Sequence, residues 1–274
     1  MAGRFAGRRA LVTGASRGIG AGIAERLAAE GADIVITART LDKHDHLAGS
    51  LRETESRLSK YGTKVGVVVA DLTSEADRAR VVPEAVEFLG GPVEILVNNA
   101  AAAMYAPLAQ FKLKRARILF EANVLATLDL AQDVIPDMQA AGEGWIINVG
   151  SGSAKLTSGP PFNLGSQGST ISVYGASKAA LNRITNGLGA ELYGTGIRVN
   201  TVEPRAAVLS EGAAELVGGT LKPEQIESME EMVEGVMALC DCSPDITARI
   251  TVSLDLIADW KLTVHNLDGS LREA

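Results

Sequence analysis

The hydrophobic pattern of the chain alternates between two kinds of segment. Short apolar runs are separated by longer stretches in which apolar residues recur every three or four positions. The runs predict strands, and the longer stretches predict amphipathic helices. The runs at 67–70 and 95–97 lack alternating polar residues, as expected for strands that are buried on both faces. Strands are predicted at 9–13, 33–39, 64–71, 93–97, 144–149, 197–202 and 262–264.

Predicted helices connect these strands. Apolar residues at helical spacing follow the first and third strands, and a long helix is predicted over 111–139. Another helix begins near Val173, and an apolar stripe over 226–240 indicates one more, which Pro223 could open at its first position. The methionines of that stripe suit either core packing or a soft substrate pocket. A further helix is expected at 253–260.

The order of these elements predicts an α/β fold. Repeated strand–helix units favour parallel pairing through right-handed crossovers. No internal repeat or linker divides the chain, so we expect one domain over 1–274. Residues 206–222 are rich in glycine and have no clear period, which predicts a mobile segment within a lid or substrate segment near 206–240.

A glycine cluster follows the first predicted strand. Gly14, Gly18 and Gly20 stand between that strand and the first predicted helix. Glycines let the backbone approach a pyrophosphate, whose charge the start of a helix attracts. The spacing is Gly-x-x-x-Gly-x-Gly, which differs from the common dinucleotide fingerprint. A plain tight turn is the alternative, but the strand before the cluster and the helix after it favour a dinucleotide site.

The residues at the end of the second predicted strand bear on cofactor choice. An acidic residue there selects the free 2′-hydroxyl of NAD, whereas an arginine accepts the 2′-phosphate of NADP. This chain has Ala38 followed by Arg39, and Arg17 in the glycine turn adds a second cation. A guanidinium can bind a phosphate through two hydrogen bonds. We therefore expect NADP(H) to be preferred over NAD(H), and two solvated arginines remain the alternative.

Polar residues also follow the third and fourth predicted strands. Ligands of parallel sheets bind beyond the carboxyl ends of the strands, where this chain places Asp71 and Asn98-Asn99-Ala100. Asp71 could accept a hydrogen bond from an adenine amino group or cap the helix that follows. Asn123 lies among apolar residues of the long predicted helix, where a buried amide must be hydrogen-bonded. That bond could be structural or could belong to a proton path.

Tyr174 and Lys178 are the strongest candidates for chemistry. They are four residues apart on a predicted helix and therefore share one face. A nearby cation favours the phenolate, so we expect a lowered pKa for Tyr174. Such a tyrosine can act as the general acid or base of carbonyl reduction or alcohol oxidation. By itself this short motif is a weak signal.

Composition and charge exclude several other classes of protein. The net charge is −7 and the pI is about 5.1, so no basic surface for nucleic acid is indicated. The basic cluster at 112–117 is read as a solvated helix face rather than an anion site. Cys240 and Cys242 are too close for an easy disulfide, and His44 and His46 lack a third metal ligand. Without a signal peptide or a membrane-spanning run, we expect a reduced, cytoplasmic chain with no metal.

Together these residues resemble the short-chain dehydrogenase/reductase family. The resemblance covers roughly residues 7–250 and rests on motifs that follow in the family's order: the turn Thr13–Gly20, Asp71, Asn98-Asn99-Ala100, Asn123, Ser151, and Tyr174 with Lys178. It implies a doubly wound Rossmann fold with a seven-stranded parallel sheet, helices on both faces and a homo-oligomer, either a tetramer or a dimer. The cofactor contacts that it implies are Gly14, Ser16, Arg17, Gly18, Ile19, Gly20, Arg39, Asp71, Leu72, Asn99, Ala100, Tyr174, Lys178 and Pro204.

The resemblance also implies a mechanism. NADPH delivers a hydride to the carbonyl carbon of a small-molecule substrate while Tyr174 protonates the oxygen, and the reverse reaction oxidises an alcohol. Lys178 lowers the pKa of Tyr174 and holds ribose hydroxyls. Ser151 hydrogen-bonds the substrate oxygen, and Asn123 supports a water relay that returns the proton.

The chain departs from the family's pattern at several points. Ala101 stands where a glycine is usual, and Arg205 replaces the glycine of the usual Pro-Gly that follows the sixth strand. Ser151 and Tyr174 are 23 residues apart, which is longer than usual in the family. We expect the extra Gly/Pro-rich loop to border the substrate pocket, with Ser153 as a second candidate for the serine role.

Three functions are consistent with this sequence. The first is an NADP(H)-dependent oxidoreductase that acts on a carbonyl or a secondary alcohol. The second is a non-catalytic dinucleotide sensor or scaffold on the same fold, since a fold does not fix a function. The third is another reduction on this fold, such as enoyl reduction. The presence of Ser151, Tyr174 and Lys178 together favours carbonyl chemistry.

Overall fold

A seven-stranded parallel sheet forms the centre of the molecule. The computed structural model describes residues 3–43, 48–162, 168–205, 207–208 and 226–272. The sheet has the order β3-β2-β1-β4-β5-β6-β9, and all its pairs are parallel. Its strands are β1 (Arg9–Thr13), β2 (Asp33–Ala38), β3 (Val65–Val69), β4 (Ile95–Asn98), β5 (Gly144–Val149), β6 (Ile197–Glu203) and β9 (Ile250–Val252). Two short strands, β7 (Ala207–Val208) and β8 (Ile226–Glu227), pair separately.

Helices cover both faces of the sheet. They are α1 (Gly18–Ala29), α2 (Leu51–Leu58), α3 (Glu75–Leu89), α4 (Leu113–Phe120), α5 (Ala126–Ala141), α6 (Ser172–Glu191), α7 (Met229–Leu239) and α8 (Ser253–Trp260). One core cluster packs α1, α2 and α7 against the sheet, and the other packs α3, α5 and α6 against the opposite face. Neighbouring strand residues divide between the two clusters, with Val12 in the first and Leu11 in the second. The doubly wound Rossmann fold is therefore confirmed.

The long predicted helix is interrupted by a wider turn. A π-helical turn, Glu121–Leu125, joins α4 to α5 and contains Asn123. Short 3₁₀ turns lie at Ser59–Tyr61, Leu108–Gln110, Gly152–Ala154 and Gly168–Ile171. Insertions of this π type are frequent at functional sites. The basic cluster at 112–117 is exposed at the start of α4, apart from Ala116.

The predicted last strand at 262–264 is wrong. The seventh strand of the sheet is β9, which pairs with Thr201–Glu203 of β6. Leu262 instead follows α8, where its backbone N–H donates to Ile257 O and its side chain packs on the core. A run of three residues has no periodicity of its own, so only the pairing with β6 distinguishes the two segments.

The C-terminal helices agree better with their predictions. The helix α8 matches the segment expected at 253–260. Within the stripe over 226–240, Met229–Leu239 forms α7 after a capping box made by Ser228 and Glu231, whereas Ile226 lies in β8. Met232 and Met237 are fully buried in the core, which favours the core-packing alternative for them. Pro223, His44, His46 and the mobile segment predicted at 206–222, apart from residues 207–208, lie outside the described residues.

The strand order places a crevice beside β1. The chain runs from β1 outward to β3 on one side and from β4 outward to β9 on the other. At such a switch point the connections leave in opposite directions and open a binding site at the carboxyl ends of the strands. Among the described residues, none of the helices is both long enough and apolar enough to cross a membrane.

Candidate functional site

The glycine turn after β1 is clamped to the end of β4. The Asn99 Nδ2 atom donates to Thr13 O at 3.0 Å and to Gly14 O at 3.2 Å. Thr13 Oγ1 accepts hydrogen bonds from the backbone N–H groups of Asn99 and Ala100, each at 3.0 Å. A Cβ atom on Gly14 would lie 2.7 Å from Ala100 Cα, and one on Gly20 would lie 2.3 Å from Asn99 Nδ2. The clamp therefore requires glycine at both positions.

This turn fits the pyrophosphate of a dinucleotide. Gly14 and Gly18 both have positive φ angles, +67° and +55°, which glycine adopts without strain. The helix α1 begins at Gly18, and the side chain of its N-cap residue, Arg17, makes no capping hydrogen bond. Its first backbone N–H groups and the positive end of its dipole therefore suit an anion. Ser16 is buried within the turn, and Ile19 is half-buried.

The ends of β2 and β3 lie beside this turn. The backbone N–H groups of Gly14 and Ala15 donate to Thr37 O, and that of Ala70 donates to Ala38 O. These bonds bring Arg39 and Asp71 to the same edge of the sheet as the glycine turn. The structure thus places the predicted cofactor-binding residues of the first three strands together.

The two candidate arginines are held differently. Arg17 Nη2 donates to Gly49 O at 2.8 Å, whereas the Arg39 side chain is 71% exposed and lies 3.9 Å from the Asp71 carboxylate. Asp71 Oδ1 accepts from the backbone N–H and the hydroxyl of Thr73 at 2.9 and 2.8 Å. Arg39 is therefore free to turn toward a ligand, while Arg17 is tied to the backbone.

Asp71 does not cap the following helix. Ser74 is the N-cap of α3 and accepts from Asp77 N, so the capping alternative for Asp71 is wrong. Leu72, which follows it, is 8% exposed and packs in the core cluster of α3 and α5.

Ser151, Tyr174 and Lys178 meet beyond the end of β5. Ser151 Oγ lies 2.9 Å from Ser153 Oγ, and Ser151 lies close enough to the Tyr174 side chain to lower the pKa of its hydroxyl. Lys178 Nζ donates to Val149 O at 2.7 Å and lies 6.0 Å from the centroid of the Tyr174 ring. Both serines considered from the sequence are thus in the site, and Ser151 is the one that influences the pKa of Tyr174.

The pKa of Tyr174 differs in direction from the one expected from the sequence. Burial raises the pKa of Tyr174 to about 12, with a further rise from the nearby Tyr105, and the Ser151 hydrogen bond opposes this rise. Burial lowers the pKa of Lys178 to about 8. The prediction that Lys178 lowers the pKa of Tyr174 is wrong for the chain alone. The reason is that burial disfavours the charged phenolate, while the Lys178 amine donates to the Val149 carbonyl.

Asn123 joins the loop after β4 to α6. Its Oδ1 accepts from Ala102 N at 2.7 Å, and its Nδ2 donates to Ala102 O at 2.9 Å and to Ser177 Oγ at 3.0 Å. Asn123 is 1% exposed. The side-chain amide is therefore engaged in structural bonds, while the proton path expected from the resemblance stays a prediction.

The structure shows the exposure and the contacts of Ala101 and Arg205, the two positions that depart from the family's pattern. Ala101 is exposed. Arg205 forms an ion pair with Asp255 of α8, and its backbone N–H donates to Glu227 at 2.9 Å. The Arg205 guanidinium is thus directed to α8, and Pro204 beside it is half-buried.

Two residues near this site were not identified from the sequence. The Tyr105 ring meets the Tyr174 ring edge-on, with centroids 5.8 Å apart. Glu203, at the end of β6, is 1% exposed, and its Oε1 lies 2.9 Å from Lys155 Nζ. Tyr105 follows Asn98-Asn99-Ala100 closely, which was the available signal. Glu203 gave none, because a single acid before a proline is common in loops.

Comparisons with known proteins agree with this geometry. The family model described as short chain dehydrogenase matches residues 8–216. Hydroxysteroid dehydrogenase-like protein 2 of Danio rerio is 30% identical over 255 residues, which are 93% of this chain and 59% of that protein. This chain therefore spans about three fifths of the length of that relative. Ketoacyl reductase HetN of Nostoc sp. is 32% identical over 198 residues, 72% of this chain and 63% of that protein.

A solved structure with bound cofactor is also similar. It is a short chain dehydrogenase from Burkholderia cenocepacia in complex with NADP. It is 28% identical, with a TM-score of 0.75, and the match covers 91% of this chain and 97% of that one.

Proposed function

Since this chain belongs to the short-chain dehydrogenase/reductase family, whose oxidoreductases act on CH–OH donors with NAD(P), we propose that it is an NADP(H)-dependent carbonyl reductase or alcohol dehydrogenase. The observation that carries this proposal is the position of Ser151 beside the Tyr174 side chain, with Lys178 one helical turn further along α6. The glycine turn and the uncapped start of α1 supply a place for the dinucleotide.

The chain's own residues would handle the proton. When bound, the dinucleotide supplies or accepts the hydride. With a pKa of about 12, the Tyr174 hydroxyl is protonated at neutral pH, which is the state needed to protonate a carbonyl oxygen. Ser151 would hold that oxygen by a second hydrogen bond. With a pKa of about 8, Lys178 is mostly an ammonium at neutral pH and would donate to ribose hydroxyls.

The preference for NADP(H) would rest mainly on Arg39. Its exposed guanidinium lies at the edge of the glycine turn, and its weak contact with Asp71 costs little to break. A guanidinium can grip a 2′-phosphate through two bonds. The Burkholderia cenocepacia structure, which binds NADP, supports this proposal.

The substrate would be apolar around its carbonyl. Leu156 and Phe162 of the loop after β5 are 94% and 63% exposed, and Tyr105 lies beside Tyr174. The relatives named as a hydroxysteroid dehydrogenase-like protein and a ketoacyl reductase support a bulky apolar ketone or alcohol. A dinucleotide sensor on the same fold would bind the cofactor equally well but turn over no substrate.

Two measurements test the proposed function. A screen of apolar ketones and alcohols for NADPH oxidation or NADP⁺ reduction should find a substrate, and Tyr174→Phe should then lower kcat by about 10²- to 10⁴-fold. Full turnover by that variant would refute the acid/base role. The absence of turnover across the screen, with tight NADPH binding, would favour the sensor.

The cofactor preference is tested separately by Arg39→Ser. Losing a charged hydrogen bond costs about 1.5–3 kcal/mol, so the Kd for NADPH should rise roughly 10- to 150-fold. The Kd for NADH should stay within about twofold. Arg183→Ser, on the exposed face of α6, is the matched control and should change neither. Equal changes in both Kd values would contradict the role of Arg39 in phosphate recognition.

A further inference from the structure

The loop after β4 carries a second phenol to the candidate acid/base residue. The rings of Tyr105 and Tyr174 lie with centroids 5.8 Å apart and planes inclined by 66°. This edge-to-face arrangement is one that aromatic pairs prefer, and it stabilises beyond the area it buries. Both side chains are half-buried. One ring therefore restricts the orientation of the other at the place where the substrate oxygen would be bound.

Hydrogen bonds anchor this loop on both sides of Tyr105. On one side, Ala102 exchanges two hydrogen bonds with the Asn123 side chain, at 2.7 and 2.9 Å. On the other side, Ala106 N donates to Thr170 O at 3.0 Å. The short segment between these anchors therefore has little freedom, and Tyr105 is held against Tyr174 by the backbone and not only by its own packing.

The same anchors hold Tyr174. Asn123 Nδ2 donates to Ser177 Oγ at 3.0 Å, and Ser177 Oγ donates to Tyr174 O at 2.7 Å. Thr170 belongs to the 3₁₀ turn Gly168–Ile171 that leads directly into α6. The loop and the first turns of α6 are thus tied together at two points, which keeps the two tyrosines in register.

We propose that Tyr105 is a positioning and specificity-determining residue, which orients the Tyr174 ring and forms the wall of the substrate site on the side of the loop after β4. The inference rests on the proposed function and names one more residue of the same site. An aromatic wall beside the reacting oxygen favours substrates with an apolar group next to the carbonyl.

The groups that face Tyr174 influence its pKa, so a pH profile of activity can report the effect of Tyr105. Among the described residues these are Tyr105 from the loop, Ser151 after β5, and Lys178 from the same helix. The charge that Tyr105 would carry on ionising raises the pKa of Tyr174, whereas the Ser151 hydrogen bond lowers it. Removing only the Tyr105 hydroxyl should therefore lower the pKa of Tyr174 and leave the ring contact in place.

The experiment compares two substitutions at this position, using the best substrate from the screen. Tyr105→Phe should keep kcat within about threefold and shift to lower pH the alkaline limb of the kcat/KM profile that belongs to Tyr174, which lies above the limb of Lys178. Tyr105→Leu should lower kcat by about 3- to 10-fold, the size of an aromatic pair contact, and raise KM for substrates with an apolar group beside the carbonyl. The NADPH Kd should be unchanged in both variants.

The matched control is Tyr193→Leu, since Tyr193 lies just after α6 and is 68% exposed. It should behave as the wild type in kcat, KM and pH profile. If Tyr105→Phe and Tyr105→Leu also match the wild type in all three while Tyr174→Phe is inactive, the inference fails and the proposed function stands. If Tyr174→Phe is fully active, the proposed function itself fails. Should Tyr105→Leu not fold, the pH profile of Tyr105→Phe decides alone.

Discussion

Gly175 is the position at which one added methyl group should push α6 away from the loop that carries Ser151 and Ser153. It lies between Tyr174 and Lys178 on α6 and is buried. A Cβ atom built on it would lie 2.3 Å from Ser153 O, whereas ordinary contacts begin near 3.4 Å. Gly175→Ala must therefore push the helix and the Ser153 carbonyl apart by about 1 Å, the difference of these distances.

Two opposing effects set the change in stability. Alanine favours a helix over glycine by about 0.5–1 kcal/mol. Forcing an extra carbon into a packed site costs about 1–3 kcal/mol, and a backbone carbonyl cannot turn aside as a side chain can. The steric overlap should outweigh the gain in helix propensity, so we expect Gly175→Ala to lower the free energy of unfolding by about 1–2 kcal/mol.

The effect on activity should be larger than the effect on stability. Ser153 is hydrogen-bonded to Ser151, which in turn contacts Tyr174, so the displacement reaches the atoms that would hold the substrate oxygen. A misplacement of about 1 Å can cost about 10²-fold in rate. We expect kcat/KM to fall by about that factor.

Gly187→Ala on the same helix is the matched control. Its Cβ atom would meet only the flexible Arg183 guanidinium, at 3.2 Å. It should therefore show only the helix-propensity effect, a gain of about 0.5–1 kcal/mol, and wild-type activity. Urea unfolding and steady-state kinetics of both variants decide the matter. If Gly175→Ala were as stable and as active as Gly187→Ala, the close packing of Ser153 on α6 would be refuted.

Two further predictions concern buried charges. Burial lowers the pKa of Lys178 from 10.5 to about 8, so above pH 8 the unfolded chain binds a proton that the folded chain has lost, and stability rises with pH. Lys178→Met lacks this rise, so its stability relative to the wild type should fall by roughly 1 kcal/mol between pH 8 and 9 in urea unfolding; a constant difference would contradict the burial argument. Arg26 is 1% exposed and pairs with the buried Glu234 at 3.2 Å. Arg26→Met should therefore destabilise by about 3–5 kcal/mol. Adding Glu234→Leu should restore part of this loss, because Glu30 keeps its charge and Glu234 also accepts from His265 N; no restoration would show that the unpaired Glu234 carboxylate is not the cause.

Much of the architecture could be predicted from the sequence because it depends on local pattern. The first six strands were placed from apolar runs, since strands buried on both faces of a parallel sheet need continuous apolar residues. The glycine turn was placed from three glycines between a strand and a helix. The last strand could not be placed from the sequence, because β9 is as short as the competing run at 262–264 and is distinguished from it only by the pairing with β6.

Some features of the candidate site could likewise be predicted from the sequence, and others could not. Tyr174 and Lys178 were found from the sequence because they are four residues apart on a helix and share a face whatever surrounds them. The pKa values of Tyr174 and Lys178 could not be predicted from the sequence, because desolvation depends on how many distant segments cover the two side chains. Tyr105 was missed because its contact with Tyr174 spans almost seventy residues of chain and depends on a loop that Asn123 and Thr170 anchor from distant segments.

Local sequence patterns thus specify which elements form, the parallel order that they favour, and the residue types present at the carboxyl ends of the strands. These follow from periodicity, helix geometry and the conformational freedom of glycine, which act over a few residues. The tertiary structure alone decided which strand closes the sheet, that burial outweighs the cation beside Tyr174, and that a second tyrosine lies against the first. Those outcomes depend on packing and desolvation between segments that are far apart in the chain, where pattern carries no information.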